Sequence, residues 1–139
     1  MLDPGLPNAI RPGQRLAMCM APTITTAAGQ GVLALGTPGS YGIPQTTVQA
    51  MVGYFDYGLE LQNAINMPRA RLQDGTEVQI ENRVGESTRN ELKSLGHRIS
   101  VLPAYSWATG GMQAVSRDLE SGALAGAADN RRDGAAVPA

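Results

Sequence analysis

At 139 residues, with 42% apolar and 17% charged residues and a formal net charge of -1, the chain has the size and make-up of one ordinary globular domain. Its acids and bases are scattered, which gives no electrostatic reason to expect nucleic acid or an anionic membrane as partner, and no run approaches the roughly 18 apolar residues of a membrane span. One cysteine, Cys19, and one histidine, His97, exclude an internal disulfide and a dense Cys/His metal cluster.

Residues 1–15 hold Pro4, Pro7 and Pro12 and read as an extended, irregular lead-in without the basic-then-apolar order of a signal peptide. The compartment therefore stays open. "APTITT" (21–26) and "GVLALG" (31–36) are strands, and "AAGQ" between them predicts a hairpin. Val48, Met51, Val52 and Phe55 fall at i, i+3, i+4 and i+7, one face of a helix that Gly58 suits as a C-terminal cap. "LELQNAIN" (59–66) predicts a short helix stopped by Pro68, and "TEVQIEN" (76–82) alternates as a strand. "ESTRNELKSLGH" (86–97) predicts a third helix with a Thr88/Glu91 capping box and Gly96 as its stop. "RISVLPAY", "MQAVSR" and "GALAGAA" are the last strand candidates, with "DLESG" making a hairpin of the final two. The order ββααβαβββ is a mixed α/β (α+β) chain whose sheet need not be complete.

Residue types that commonly carry catalysis are scarce. His97 follows a helix stop with no acid or nucleophile near it in sequence, and Cys19 between two methionines reads as an inert, buried thiol or a pocket-lining one. The pairs Arg69/Arg71 and Arg131/Arg132 read as local ion-pairing groups rather than a binding face. There is no Gly-x-Ser-x-Gly elbow, and Gly39 is followed by Ser40-Tyr41-Gly42, so no phosphate-loop lysine is present. What remains is the turn Gly36-Thr37-Pro38-Gly39-Ser40 between a strand and a helix. Such a junction aims unpaired backbone N–H groups at a small space, and a glycine at 39 permits φ > 0 and close backbone approach. On shape alone it is either an anion-holding turn or a purely structural one.

Five ordered stretches decide between these readings. "NAIRPGQRLAMCMAPTI", "LALGTPGSYGIPQTTVQAM", "FDYGLELQNAINMPRAR", "GGMQAV" and "GAADNRRDGAA" resemble, in order and at matching separations, the C-terminal part of the γ-glutamyltranspeptidase family. The resemblance implies a partial αββα sandwich of the N-terminal-nucleophile hydrolase type, from the C-terminal part of the small subunit of a self-cleaving precursor. Residues 1–19 would then line the acyl pocket and 20–139 form the body of that part. In the family a new N-terminal threonine attacks a γ-glutamyl or related amide carbonyl, with its own α-amine as base, which requires neither histidine nor cofactor.

By the same resemblance, Gly39 and Ser40 fall on two oxyanion-hole glycines, with serine replacing the second. Met18 and Cys19 fall on a Ser-Ser pair that binds the glutamyl α-carboxylate, and Asp3 on an acid that binds the substrate α-amine. Neither thioether nor thiol is a strong donor, so within γ-glutamyl or related acyl amide hydrolysis or transfer, hydrolysis of some other amide or acyl group is favoured over transfer from glutathione. The nucleophile is expected upstream of anything matched. The implied partners are the upstream part of the small subunit, the large subunit and a small-molecule amide. The chain alone is expected to be inactive, and a truncated, non-enzymatic binding or assembly remnant is the competing reading.

Overall fold

The structure is a computed structural model that describes residues 3–7, 9–15 and 17–138. In chain order its elements are β1 (Thr23–Ala27), β2 (Gln30–Gly36), α1 (Gly42–Phe55), α2 (Leu61–Asn66), β3 (Ala70–Leu72), β4 (Glu77–Glu81), α3 (Glu86–Ser94), β5 (Arg98–Leu102), a 3-10 turn (Trp107–Thr109), β6 (Gln113–Arg117) and β7 (Leu124–Ala128). They form an antiparallel sheet of order β1-β2-β6-β7 and a smaller sheet of order β3-β4-β5.

Both predicted hairpins are present. Ala28 and Gly29 take φ of 49° and 76°, the two positive values that match a two-residue turn to the twist of its strands. In the β6–β7 hairpin the Asp118 carboxylate accepts from the Ser121 amide and hydroxyl at 2.7 and 2.6 Å. Strand alternation then divides the large sheet into two faces. Leu33, Leu35, Ala114 and Ala127 point to one side and pack with Ala50 of α1, Leu61 and Ile65 of α2, and Met112. Each fully buried large apolar side chain here contributes about 1.5–3 kcal/mol. On the other side, Ile24, Ala34, Val115 and Gly126 lie in one cross-strand row, with Ile24 74% exposed. One helix layer and one sheet with an open apolar face are half of an αββα sandwich.

In the small sheet β3 is antiparallel to β4, and β4 runs parallel to β5. A parallel pair needs a crossover, which α3 supplies. Glutamines tie the helices to strand edges: Gln45 of α1 donates to the Leu72 carbonyl and accepts from its amide, at 3.1 and 2.7 Å, and Gln49 does the same with Ala70, at 2.7 and 3.0 Å. Gln62 of α2 engages Ala128 of β7 in the same way.

Three sequence expectations are corrected. The inward face of α1 is Ile43, Thr46, Thr47, Ala50 and Gly53, whereas Val48 and Phe55 are exposed. Small residues let this helix lie close on α2 and the sheet, and of the predicted stripe Met51 packs against the core while Val48 and Phe55 are turned outward. The Thr88/Glu91 capping box does not form: Gly85 is the N-cap, with no side-chain bond, and Glu86 occupies the first turn, where a negative charge complements the helix dipole. At the other end Gly96 (φ 94°) does stop α3, with its amide on Lys93 O and that of His97 on Leu92 O. Finally, β3 and the 3-10 turn are additional elements, and β5 ends at Leu102, before Pro103.

Candidate functional site

The turn between β2 and α1 is held open by its surroundings. Among the described residues, nothing accepts a hydrogen bond from the amides of Gly39, Ser40 or Tyr41. Gly39 has φ 145° and Ser40 φ 54°, so the chain passes through two successive positive-φ residues before the helix begins. A serine there carries a strain that glycine avoids, of about 1–2 kcal/mol. The α1 N-terminus has no side-chain cap. Unpartnered amides at the start of a 14-residue helix carry partial positive charge and are able to donate to an anion.

Their carbonyls, by contrast, are engaged. The Thr37 hydroxyl donates to Pro38 O at 2.9 Å, and Gly39 O accepts from the Gly42 amide at 3.0 Å, with Arg71 Nη1 at 3.5 Å. Arg71 is itself held by Gln79, to whose Oε1 its Nε donates at 3.0 Å. The turn rests on Gly110 and Gly111: the Gly111 amide donates to Thr37 Oγ1 at 3.1 Å, and Arg132 Nε donates to Gly110 O at 3.2 Å.

Beneath Gly110 lies a buried charge network, which the sequence reading reduced to arginine pairs. Glu81, Arg69, Asp129 and Arg131 are all 5% exposed or less. Arg69 pairs with Asp129 at 2.7 Å and donates to the carbonyls of Thr109 and Ile65 at 3.1 and 2.8 Å. Arg131 pairs with Glu81 at 2.7 Å and with Asp129 at 3.0 Å. Glu81 receives six bonds: Arg131 Nε, Ser106 N and Thr109 Oγ1 on Oε1, and Arg131 Nη2, Arg83 Nη2 and Arg69 N on Oε2. Burial pushes the Glu81 carboxyl upward, but Arg131 and Arg83 outweigh it and hold it down to about 2. Burial likewise opposes ionisation of Asp129, and Arg69 and two backbone amides overcome it, so its pKa is lowered. Charges this deep require such partners. Arg69 and Arg131 do form ion pairs, but with distant acids; Glu81 has one partner near it in sequence, Arg83, while Arg131 lies 50 residues away.

The other predicted site residues lie on the lead-in. Met18 is 64% exposed and Cys19 half-buried with a free thiol. Asp3 is exposed, and its carboxylate accepts from the Gly5 amide at 2.9 Å, closing a local turn. No hydrogen bond or ion pair joins Asp3, Met18 or Cys19 to the Gly39 turn. His97 sits at the end of α3.

The family model described as Gamma-glutamyltranspeptidase matches residues 1–139. The chain belongs to the γ-glutamyltranspeptidase family. It is 31% identical over 96% of its length to a glutathione hydrolase proenzyme of Bacillus subtilis, and 34% identical over the same share to an acylase ACY 1 proenzyme of a Pseudomonas species. It spans 22% and 23% of those two relatives. The fold superposes on a cephalosporin acylase from Bacillus halodurans with a TM-score of 0.86 at 33% identity, covering 95% of this chain and 24% of that one. The half-sandwich of helices and sheet is thus the γ-glutamyltranspeptidase-family fold, in its N-terminal-nucleophile hydrolase form, and the hydrolases and acylases of this family are its relatives.

Proposed function

We propose that this chain supplies the oxyanion hole of a γ-glutamyltranspeptidase-family amide hydrolase, through the backbone N–H groups of Gly39 and Ser40. The observation that carries the reading is the run of unpartnered amides at Gly39, Ser40 and Tyr41, opening on the N-terminus of α1. In the proposed reaction a threonine hydroxyl on another segment of the assembled protein adds to the amide carbonyl, giving its proton to the threonine α-amine. The carbonyl electron pair moves onto oxygen, where the two N–H groups receive it. Collapse expels the amine, which takes the proton from the α-ammonium, and water then hydrolyses the ester.

Met18, Cys19 and Asp3 are proposed to line the acyl side. A thioether and a thiol hold a carboxylate weakly, which favours acyl amides lacking the γ-glutamyl α-carboxylate, and the family contains both glutathione hydrolases and acylases. Partners in this reading are the remainder of the small subunit and the large subunit, with the open face of the β1-β2-β6-β7 sheet as the surface they cover.

The test removes one donor without altering the turn. Replacing Ser40 by its α-hydroxy acid turns the Gly39–Ser40 amide into an ester, with φ unchanged. In the full-length processed protein kcat is expected to fall about 100- to 1,000-fold with little change in KM. Unaltered turnover in a folded, processed protein shows that the turn is structural only. A full-length protein that processes and folds yet turns over no amide favours the non-enzymatic assembly remnant.

A further inference from the structure

Two amides can receive an oxyanion only if their planes are set before the reaction, and the residue that sets one of them is visible. In a planar trans peptide the C=O and N–H point in opposite directions, so whatever holds the carbonyl of one residue aims the N–H of the next. The Pro38 carbonyl is held by the Thr37 hydroxyl at 2.9 Å, and the N–H on the far side of that plane is Gly39's. Thr37 is in turn anchored, because the same oxygen accepts the Gly111 amide at 3.1 Å.

We propose that Thr37 is a positioning residue that orients the Gly39 N–H by bridging Gly111 to the Pro38 carbonyl. This rests on the reading of Gly39 as an oxyanion donor. The hydroxyl has one proton, given to Pro38 O, and a lone pair that takes Gly111 N–H, so both bonds form together. The anchor is rigid on its far side. Gly110 has φ 113°, and a Cβ there would stand 2.6 Å from Thr37 Oγ1 and 3.2 Å from Pro38 O. The Thr109 carbonyl is fixed by Arg69 and the Gly110 carbonyl by Arg132. The line therefore runs from the buried Arg69–Asp129 pair through the Thr109–Gly111 segment and Thr37 to the Pro38–Gly39 peptide. A hydrogen bond to the carbonyl also polarises the peptide and strengthens its N–H as a donor.

The deciding variants are Thr37→Val, which keeps the shape and loses the hydroxyl, and Thr37→Ser, which keeps both bonds. In the full-length processed protein, assayed with γ-glutamyl-4-nitroanilide and simple acyl anilides, Thr37→Val is expected to lower kcat about 10- to 100-fold. KM should stay within about twofold, and Thr37→Ser should return kcat to within about threefold of the parent. Thr37→Ala, at a half-buried loop position, is expected to match the valine variant and serves if that one fails to process. A second readout needs no turnover. Labelling proline at its carbonyl carbon and glycine at nitrogen selects Pro–Gly peptides, of which this chain has Pro4–Gly5, Pro12–Gly13 and Pro38–Gly39. Loss of Thr37's hydroxyl should displace or split the Pro38–Gly39 peak, and Thr37→Ser should leave it in place. An unmoved peak, an unchanged kcat in both hydroxyl-free variants, a loss carried by KM, or a serine variant as slow as valine overturns the assignment. If the ester at Ser40 leaves kcat intact, the oxyanion reading itself fails; if the ester slows turnover and Thr37→Val does not, only the role of Thr37 fails.

Discussion

Glu81→Gln tests the buried network with almost no change of shape. The carboxylate takes three donors on each oxygen, so a carboxamide in either orientation turns its NH2 toward three donors and supplies no charge to Arg131 or Arg83. Arg69 and Arg131 keep Asp129, and Arg83 keeps the Tyr105 ring 3.7 Å from its guanidinium carbon. The cost therefore belongs at the lower end of the 3–5 kcal/mol typical of a broken buried pair. The pKa gives the same figure, since a carboxyl held at about 2 against an ordinary 4.5 corresponds to about 3 kcal/mol. With a urea dependence of about 2 kcal/mol per molar, the unfolding midpoint should fall by about 1.5 M at neutral pH. Because the folded-state value is the lower one, this stability is present above pH 4.5 and is lost as pH falls through about 2. In Glu81→Gln the pH slope across that window should shrink by one proton's worth, about 1.4 kcal/mol per pH unit, while Asp129, also lowered, keeps part of it. Urea unfolding at several pH values reads both quantities. A loss below about 1 kcal/mol with an unchanged slope would refute the claim that Glu81 is a stabilising, ionised hub.

Gly110→Ala should destabilise by about 2–3 kcal/mol and slow turnover, because the new Cβ meets both the Thr37 hydroxyl and the Pro38 carbonyl in a conformation alanine rarely adopts; thermal unfolding and kcat check it, and a neutral result contradicts the tight seating of the turn. Replacing Met18 and Cys19 together by serine should improve use of γ-glutamyl anilides over simple acyl anilides, by about 1.5–3 kcal/mol for each hydrogen bond regained to the α-carboxylate. An unchanged ratio of kcat/KM values removes those two residues from the acyl side.

Features set by local chemistry were legible in the sequence. Ala28-Gly29, the Asp118–Gly122 turn and Gly96 each fix a backbone conformation through their own side chains or lack of one, and each appears where expected. The fold class followed from the family resemblance and matches the solved relatives. Periodicity gave α1 but only part of its inward face: Met51 packs on the core, whereas Val48 and Phe55 stay exposed and the helix buries Ile43 with threonines, an alanine and glycines. A hydrophobic pattern reports that a surface prefers to be covered, without saying by what. The charge network and the Gly111–Thr37 hydrogen bond escaped for another reason. Their partners lie 50 and 74 residues apart, and an isolated Glu, Asp or Thr carries no mark of a distant donor.

The glutamine contacts of α1 bear on how its turn tolerates change. Gln45 and Gln49 grip the Leu72 and Ala70 backbones at points one helical turn apart, about 6 Å along the axis. Two grips at that separation resist both sliding and rolling, so the bearing of the helix is taken from the small sheet and not from its own uncapped beginning. The tip can therefore accept a residue as awkward as serine at position 40 while the axis behind it keeps its aim. The same grips occupy the outer backbone groups of a three-residue edge strand, so the fastening that steadies the helix also denies that edge to a foreign strand.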